Sequence, residues 1–236
     1  MADTHLFQFK QFNLHHAHSM KVGTDSVLLG AWAAVEGATS VLDVGTGSGV
    51  LALMVAQRTS ASTHIDAIEL NPNAAAEARK NFLQSPWHSR LALIEGDFLR
   101  WKTLVSYDLI ISNPPYFENS LLPPNSARSA ARHTVALHAW AILDFAHTHL
   151  SPSGTVNLVL PAREGEVLIQ QVAQLPLYLT RQCQVRSRPQ KPVERLLLEF
   201  SSTPKQVARE ELVLHTTHHA RSEAYQQLTH PFYTKG

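Results

Sequence analysis

The sequence predicts an α/β fold built on one sheet of seven strands, mostly parallel, with a single antiparallel member and helices on both faces. Three observations carry this expectation. From Thr39 onward, short β-rich runs alternate with stretches whose apolar residues recur at helical spacing. Alternation of that kind implies a mainly parallel sheet covered on both sides. The last two runs lack a long helix between them and are joined through Pro189 and Pro192, which marks a hairpin and so one antiparallel strand. The length of 236 residues is within reach of a single α/β domain. A chain of that size buries roughly 70% of its unfolded surface, so neither disulfides nor a metal are needed to hold a core.

Taken in order, the strands are expected at Ser40–Val44, His64–Ile68, Arg90–Ile94, Tyr107–Ser112, Thr155–Leu160, Leu179–Val185 and Arg195–Phe200. The helices between them are expected at Gly49–Arg58, Pro72–Leu83, Val135–Leu150 and Arg163–Leu175. Residues 1–38 form an N-terminal extension, 39–205 the core domain, and 206–236 a tail with one strand (Leu212–His215) and one helix (Arg221–Leu228). Neither flanking part is long enough for an independent domain, so both are expected to pack on the core.

Composition excludes little by itself. Lys+Arg 20 against Asp+Glu 19 leaves +1, so any nucleic-acid partner must be held by a local basic patch. The single cysteine, Cys183, permits no intramolecular disulfide and reads as a small buried hydrophobe. No basic stretch followed by an apolar run opens the chain, and the longest apolar stretch, Val27 to Val35, is broken by Gly30 and too short for a membrane span. A soluble cytoplasmic protein with no membrane partner is the expectation.

Val41-Leu-Asp-Val-Gly-Thr-Gly-Ser-Gly-Val50 sets Gly45, Gly47 and Gly49 in a turn between an apolar strand and a helix. Glycines there let the backbone take positive φ and approach a ligand closely. In an open α/β sheet such a ligand binds at the carboxyl ends of the strands. A nicotinamide cofactor would ask for G-x-G-x-x-G; here the spacing is G-x-G-x-G, with Val50 where that fingerprint wants Gly or Ala. Asp43, two residues before the first glycine, suits the ammonium of S-adenosylmethionine, and no pyrophosphate cradle is required. Glu69 ends the second strand 20 residues past Gly49, where a carboxylate can take both hydroxyls of an adenosine ribose. Asp97 and Phe98 follow the third strand, the acid suited to an adenine amine and the ring to packing beside the base; the bland alternative is an ordinary turn.

The most informative stretch is Asp108-Leu-Ile-Ile-Ser-Asn-Pro-Pro-Tyr116, an Ile-rich strand running into Asn113, Pro114, Pro115 and Tyr116. Two prolines lock the backbone. They hold the Asn113 amide oxygen and the Pro114 carbonyl as two fixed acceptors for the hydrogens of one planar NH₂ group. Tyr116 offers a ring on which a flipped base stacks. An aromatic amine bound this way is turned towards a more tetrahedral, nucleophilic nitrogen, and positioning is the main catalytic lever.

With these residues in view, the sequence resembles the amino-methyltransferases that carry an (Asn/Asp/Ser)-Pro-Pro-(Tyr/Phe/Trp) loop on the Rossmann-like class I methyltransferase fold. Phe9-Lys-Gln-Phe12 followed by Met20-Lys-Val-Gly-Thr-Asp-Ser-Val-Leu-Leu-Gly-Ala-Trp-Ala33 resembles, more selectively, the bacterial valine-tRNA adenine N(6)-methyltransferases, as does the ending Pro231-Phe-Tyr233. The resemblance runs over nearly the whole chain and makes 39–205 an S-adenosylmethionine-binding catalytic domain. It implies methylation of the adenosine 3′ of the anticodon of a valine tRNA. It assigns Asp43, Gly45, Gly47, Glu69 and Asp97 to the cofactor, Asn113 to Tyr116 to the acceptor base, and Lys21, Thr24 and Asp25 to an upstream segment on the cofactor side; Thr46, Gly49 and Phe98, beside them in the same loops, are cofactor candidates too. Departures from the family are the His-rich stretch His15-His-Ala-His18 and a tail with few acids. Those histidines and His215…His218-His219 read as loop residues aiding RNA contact, and no metal is expected.

Two segments are candidates for RNA. The loop Glu118 to Thr134 carries Arg128 and Arg132; the stretch Arg181 to Arg195 holds Arg181, Arg186, Arg188, Lys191 and Arg195 against one acid, Glu194. Three other readings stay open. A protein glutamine N(5)-methyltransferase uses the same two acceptors, but as a family has a sizeable helical domain ahead of the core. A nicotinamide oxidoreductase lacks its glycine fingerprint here, and a noncatalytic RNA-binding module with a relic cofactor site sits poorly with an intact Asp43, Glu69, Asp97 and Asn113.

Overall fold

A computed structural model of the chain describes residues 5–16, 23–114, 139–217 and 220–233. Strands β1 (His5–Gln8) and β2 (Asn13–His16) form an antiparallel hairpin, and helix α1 (Thr24–Trp32) follows. Then come β3 (Ser40–Val44), α2 (Val50–Arg58), β4 (His64–Glu69), α3 (Pro72–Leu83), β5 (Leu91–Glu95) and β6 (Tyr107–Ser112). Helix α4 occupies 139–149 of the described residues. It leads to β7 (Leu150–Pro161), α5 (Ala162–Gln171), β8 (Tyr178–Arg186), β9 (Arg195–Ser201), β10 (Ala208–Val213) and α6 (Glu223–Thr229).

The large sheet runs β5-β4-β3-β6-β7-β9-β8-β10. All neighbours are parallel except β9, which pairs antiparallel with β7 and with β8, as the missing helix between the last two runs implied. The sheet has eight strands where seven were expected. The eighth, β10, comes from the tail, and begins at Ala208, four residues ahead of the expected Leu212. Its sequence, Ala-Arg-Glu-Glu-Leu-Val, carries little apolar signal. A parallel ladder from Ala208↔Arg181 to Val213↔Arg186 makes it a strand, so its hydrogen bonds come from a neighbour that local pattern does not reveal. The expected helix Arg163–Leu175 likewise resolves into α5 and a 3₁₀ turn, Val172–Gln174.

Each sheet face buries its own core, so strand residues alternate between two apolar layers and read as continuous hydrophobic runs. Val41, Ile65, Leu109, Ile111 and Leu197 face α1, α2 and α3. Leu42, Val44, Ile110, Leu158 and Leu198 face α4 and α5. The expectation of Cys183 as a buried hydrophobe fits: it is 2% exposed, and burial pushes its thiol up to about 12.

The flanking segments close over the first layer. Phe9 and Tyr233 form an antiparallel bridge, the Lys10 amide donates to the Phe232 carbonyl, and Phe232 is 1% exposed. Of the His-rich stretch, expected as a loop, His15 and His16 lie in β2, and His16 is buried. The hairpin is held by buried Asn81 of α3, whose side chain bonds both the amide and the carbonyl of His15 and also donates to the Ser48 carbonyl at 2.8 Å. Backbone pairing with β1 makes this polar run a strand, and the Asn81 side chain braces it. His18, His218 and His219 lie outside the described residues. Among the described residues no helix is long and apolar enough to cross a membrane.

Candidate active site

Because β3 to β6 are parallel, their carboxyl ends share one edge. The chain order β3-β4-β5 proceeds one way across the sheet and β6-β7 the other, so β3 and β6 are hydrogen-bonded neighbours at the point of reversal. In open α/β sheets that crevice is where ligands bind. The glycine turn leaves β3 on one side of it and Asn113 leaves β6 on the other, with the Ser112 hydroxyl donating to the Val44 carbonyl between them at 2.7 Å.

The turn is braced from below and open above. Gly45 and Gly47 have φ of 70° and 58°, in the left-handed region that favours glycine, and a Cβ on either would meet nothing within 4 Å. The Gly45 and Thr46 amides donate to the Ile68 carbonyl. Gly49 plays a different part. A Cβ there would lie 2.4 Å from the Phe82 ring, so its absence serves helix packing. Asp43 is completely buried. Its Oδ2 accepts from the Thr46 hydroxyl at 2.6 Å and the Ala52 amide at 3.1 Å. Its Oδ1 is buried with no hydrogen-bond partner among the described residues. Desolvation raises the carboxyl from 3.8 to about 7, against the lowering effect of those two bonds.

Glu69, at the end of β4, accepts from the Gly47 amide on Oε2 at 2.9 Å and from the Asn71 amide on Oε1 at 2.8 Å. A carboxylate has about four lone-pair sites, so each oxygen keeps acceptor capacity beyond these bonds. Asp97, just past β5, accepts from the Leu99 amide and lies 3.5 Å from the Arg100 guanidinium. Phe98 packs edge-on against Phe145, ring centroids 5.1 Å apart.

Asn113 sits across the crevice. Its Nδ2 donates to the Ser26 hydroxyl of α1 at 2.8 Å, while its Oδ1 is buried without a partner among the described residues. Pro114 is buried beside it. Thr24 is exposed at the start of α1. Asp25 is engaged by the Arg195 guanidinium at 2.8 Å, a use the sequence did not signal. Lys21, Pro115, Tyr116, Arg128 and Arg132, with the loop 118–134, lie outside the described residues.

The basic run divides. Arg181 forms a two-pronged pair with Glu210 of β10, at 2.6 and 3.2 Å, and stacks over Trp32 at 4.1 Å. It is a brace between β8, β10 and α1. Arg195 is held by Asp25. Arg186, Arg188 and Lys191 occupy the β8–β9 turn, with the Arg186 guanidinium donating to the Lys191 carbonyl. Since β8 runs parallel to β7, this turn lies at the same sheet edge as Asn113. Sequence reasoning missed Ser26 and Asn81. Ser26 stands inside the Thr-Asp-Ser run that opens α1, but nothing in that run tells which side chain it meets. Among the described residues no group of three or more His, Cys, Asp or Glu is placed to hold a metal ion.

Comparison with known proteins gives the family. Residues 17–171 match the model of the methyltransferase small domain family. A protein of Tolumonas auensis named tRNA1(Val) (adenine(37)-N6)-methyltransferase is 43% identical over 98% of this chain and 98% of its own. One of the same name from Bacteroides thetaiotaomicron is 40% identical over 96% of each. Among solved structures, a predicted O-methyltransferase from Agrobacterium tumefaciens superposes with a TM-score of 0.64 at 19% identity, covering 88% of this chain and 96% of the other, and so shares the fold. The glycine turn, the buried aspartate and the strand-end asparagine therefore stand in a methyltransferase, and the chain belongs to the family of the tRNA1(Val) (adenine(37)-N6)-methyltransferases.

Proposed function

We propose that this chain methylates the exocyclic amine of an adenine in tRNA, namely the adenosine 3′ of the anticodon of a valine tRNA, with S-adenosylmethionine as donor. The observation that carries the reading is Asn113: nitrogen anchored on Ser26, oxygen buried and unpartnered among the described residues, at the switch point of the sheet. The names of relatives at 40–43% identity over nearly the whole chain supply the substrate.

The residues present fit the donor. Among the described residues, the open space over Gly45 and Gly47, the unpartnered Asp43 Oδ1 and the remaining acceptor capacity of Glu69 suit a ligand with an ammonium and a ribose. When bound, S-adenosylmethionine supplies an electrophilic methyl on a sulfonium. The protein's part is to hold the amine. Asn113 Oδ1 and the Pro114 carbonyl each accept one N–H, which fixes the lone pair towards the methyl at roughly 3–3.5 Å. A nitrogen–carbon bond forms as the carbon–sulfur bond breaks, and the extra proton leaves the nitrogen for solvent. Tyr116 stacks on the base. Arg186, Arg188 and Lys191, with Arg128 and Arg132, hold phosphates around the anticodon.

The test is incubation with total tRNA from a strain lacking this gene, followed by nucleoside mass spectrometry. N(6)-methyladenosine in valine tRNA is the expected product. Asn113→Ala should cost about 10²–10³-fold in single-turnover rate, the usual loss for one preorganised polar group, with tRNA affinity nearly intact. Full rate in that variant, or label appearing on a protein glutamine instead, overturns the reading.

A further inference from the structure

The amide of Asn113 has two chemically opposite ends. Its oxygen accepts and its nitrogen donates, and the torsion that exchanges them is soft and roughly two-fold. Prolines on the C-terminal side lock the backbone of the loop, but not this torsion. A flipped amide would present N–H groups to the hydrogens of the incoming amine, donor against donor. Catalysis by Asn113 therefore needs a device that holds the amide from its nitrogen end.

Ser26 is placed to be that device. It lies in the first turns of α1, 87 residues from Asn113 in sequence, and its hydroxyl accepts from Asn113 Nδ2 at 2.8 Å. Ser26 is 8% exposed, and Val27, Leu28 and Leu29, which follow it, are completely buried, so the helix that carries it is fixed against the sheet. Its neighbour Asp25 is tied in turn to Arg195 at the start of β9 at 2.8 Å. The hydroxyl thus has rigid support on two sides. At the other end of the amide, Asn113 Oδ1 is buried with no partner among the described residues. One end is anchored, and the other meets no partner among the described residues.

We propose that Ser26 is a positioning residue for methyl transfer: it accepts a hydrogen bond from Asn113 Nδ2 and so presents Asn113 Oδ1 to the acceptor amine. The inference rests on the amine-holding role proposed for Asn113. In this role Ser26 acts through that amide.

The test compares wild type, Ser26→Ala, Ser26→Thr, Asn113→Ala and the double variant Ser26→Ala/Asn113→Ala in single-turnover transfer at saturating tRNA and donor. Alanine favours a helix more than serine does, so Ser26→Ala should fold, with thermal unfolding as the check. Loss of one neutral hydrogen bond should slow Ser26→Ala by about tenfold, leaving tRNA and donor affinities within about twofold of wild type. Ser26→Thr keeps the hydroxyl and should keep most of the rate. On the Asn113→Ala background the serine change should cost nothing more, because both act through one amide. In ¹⁵N-labelled protein the Asn113 side-chain amide signals, identified by their loss in Asn113→Ala, should move in Ser26→Ala and stay near the wild-type position in Ser26→Thr. Three results overturn the proposal: unmoved amide signals in Ser26→Ala, a wild-type rate in Ser26→Ala while Asn113→Ala is slow, or an undiminished serine effect on the Asn113→Ala background. Full rate in Asn113→Ala is a different failure, since it removes the amine-holding reading itself.

Discussion

At the level of single residues, Asp43 carries a large electrostatic load. It is completely buried below the glycine turn, and desolvation outweighs the Thr46 hydroxyl and the Ala52 amide in setting its carboxyl near 7. The folded protein therefore binds this proton more tightly than the unfolded chain does. The stability that this group contributes is fully present below the unfolded value of 3.8 and is lost as pH rises towards about 7. Denaturant unfolding of cofactor-free protein at a series of pH values should show this decline. Asp43→Asn, neutral throughout, should flatten the curve and gain stability at neutral pH, while weakening donor binding. A wild-type curve already flat across that window would mean the carboxyl is not raised.

Among the elements, the β8–β9 turn is the proposed tRNA contact nearest the candidate site. It carries Arg186, Arg188 and Lys191, and at its β9 end Arg195 grips Asp25, next to the serine that meets Asn113. Replacing Arg186, Arg188 and Lys191 together with Ala should weaken tRNA binding. It should also reduce the slope of log affinity against log salt by roughly 0.7–0.9 for each phosphate left without its cation. Filter binding over a salt series reads this directly, and donor affinity should not change. A triple variant that binds tRNA like wild type would move the RNA to Arg128 and Arg132.

Across the whole molecule, both ends of the described chain finish on one face, over α1, α2 and α3. Phe9, Phe12 and Tyr233 stack there, the Gln57 side chain donates to the Pro231 carbonyl, and Phe232 is nearly inaccessible. The N-terminal hairpin reaches the glycine turn through Asn81, so this seal is continuous with the candidate site. Phe232→Ala should cost about 3–5 kcal/mol in chemical denaturation, as for a fully buried aromatic. A loss below about 1 kcal/mol would mean that the tail frays without consequence for the core.

Local pattern along the chain suffices for the parallel core and its loops. Strands β3 and β6 are buried on both faces, so their residues are largely apolar, and the turns that leave them carry glycine or proline. Those are local constraints, and the order of residues records them. Asp43, Glu69 and Asn113 were legible for the same reason: each stands at a fixed offset from a strand end. Which side chains meet is a different matter, settled only once the chain has folded. Glu210 claims Arg181, Asp25 claims Arg195, and Ser26 claims Asn113, from 29, 170 and 87 residues away. A count of charges along the chain made Arg181 and Arg195 part of one basic patch; folding brought each an acid from elsewhere. Only the end of edge strand β10 was legible, within the expected tail strand Leu212–His215; its start at Ala208 and its place in the sheet were not, since its ladder partner β8 is remote in sequence. Hydrogen bonds and ion pairs need two groups at about 3 Å, and only the path of the whole chain sets which two those are.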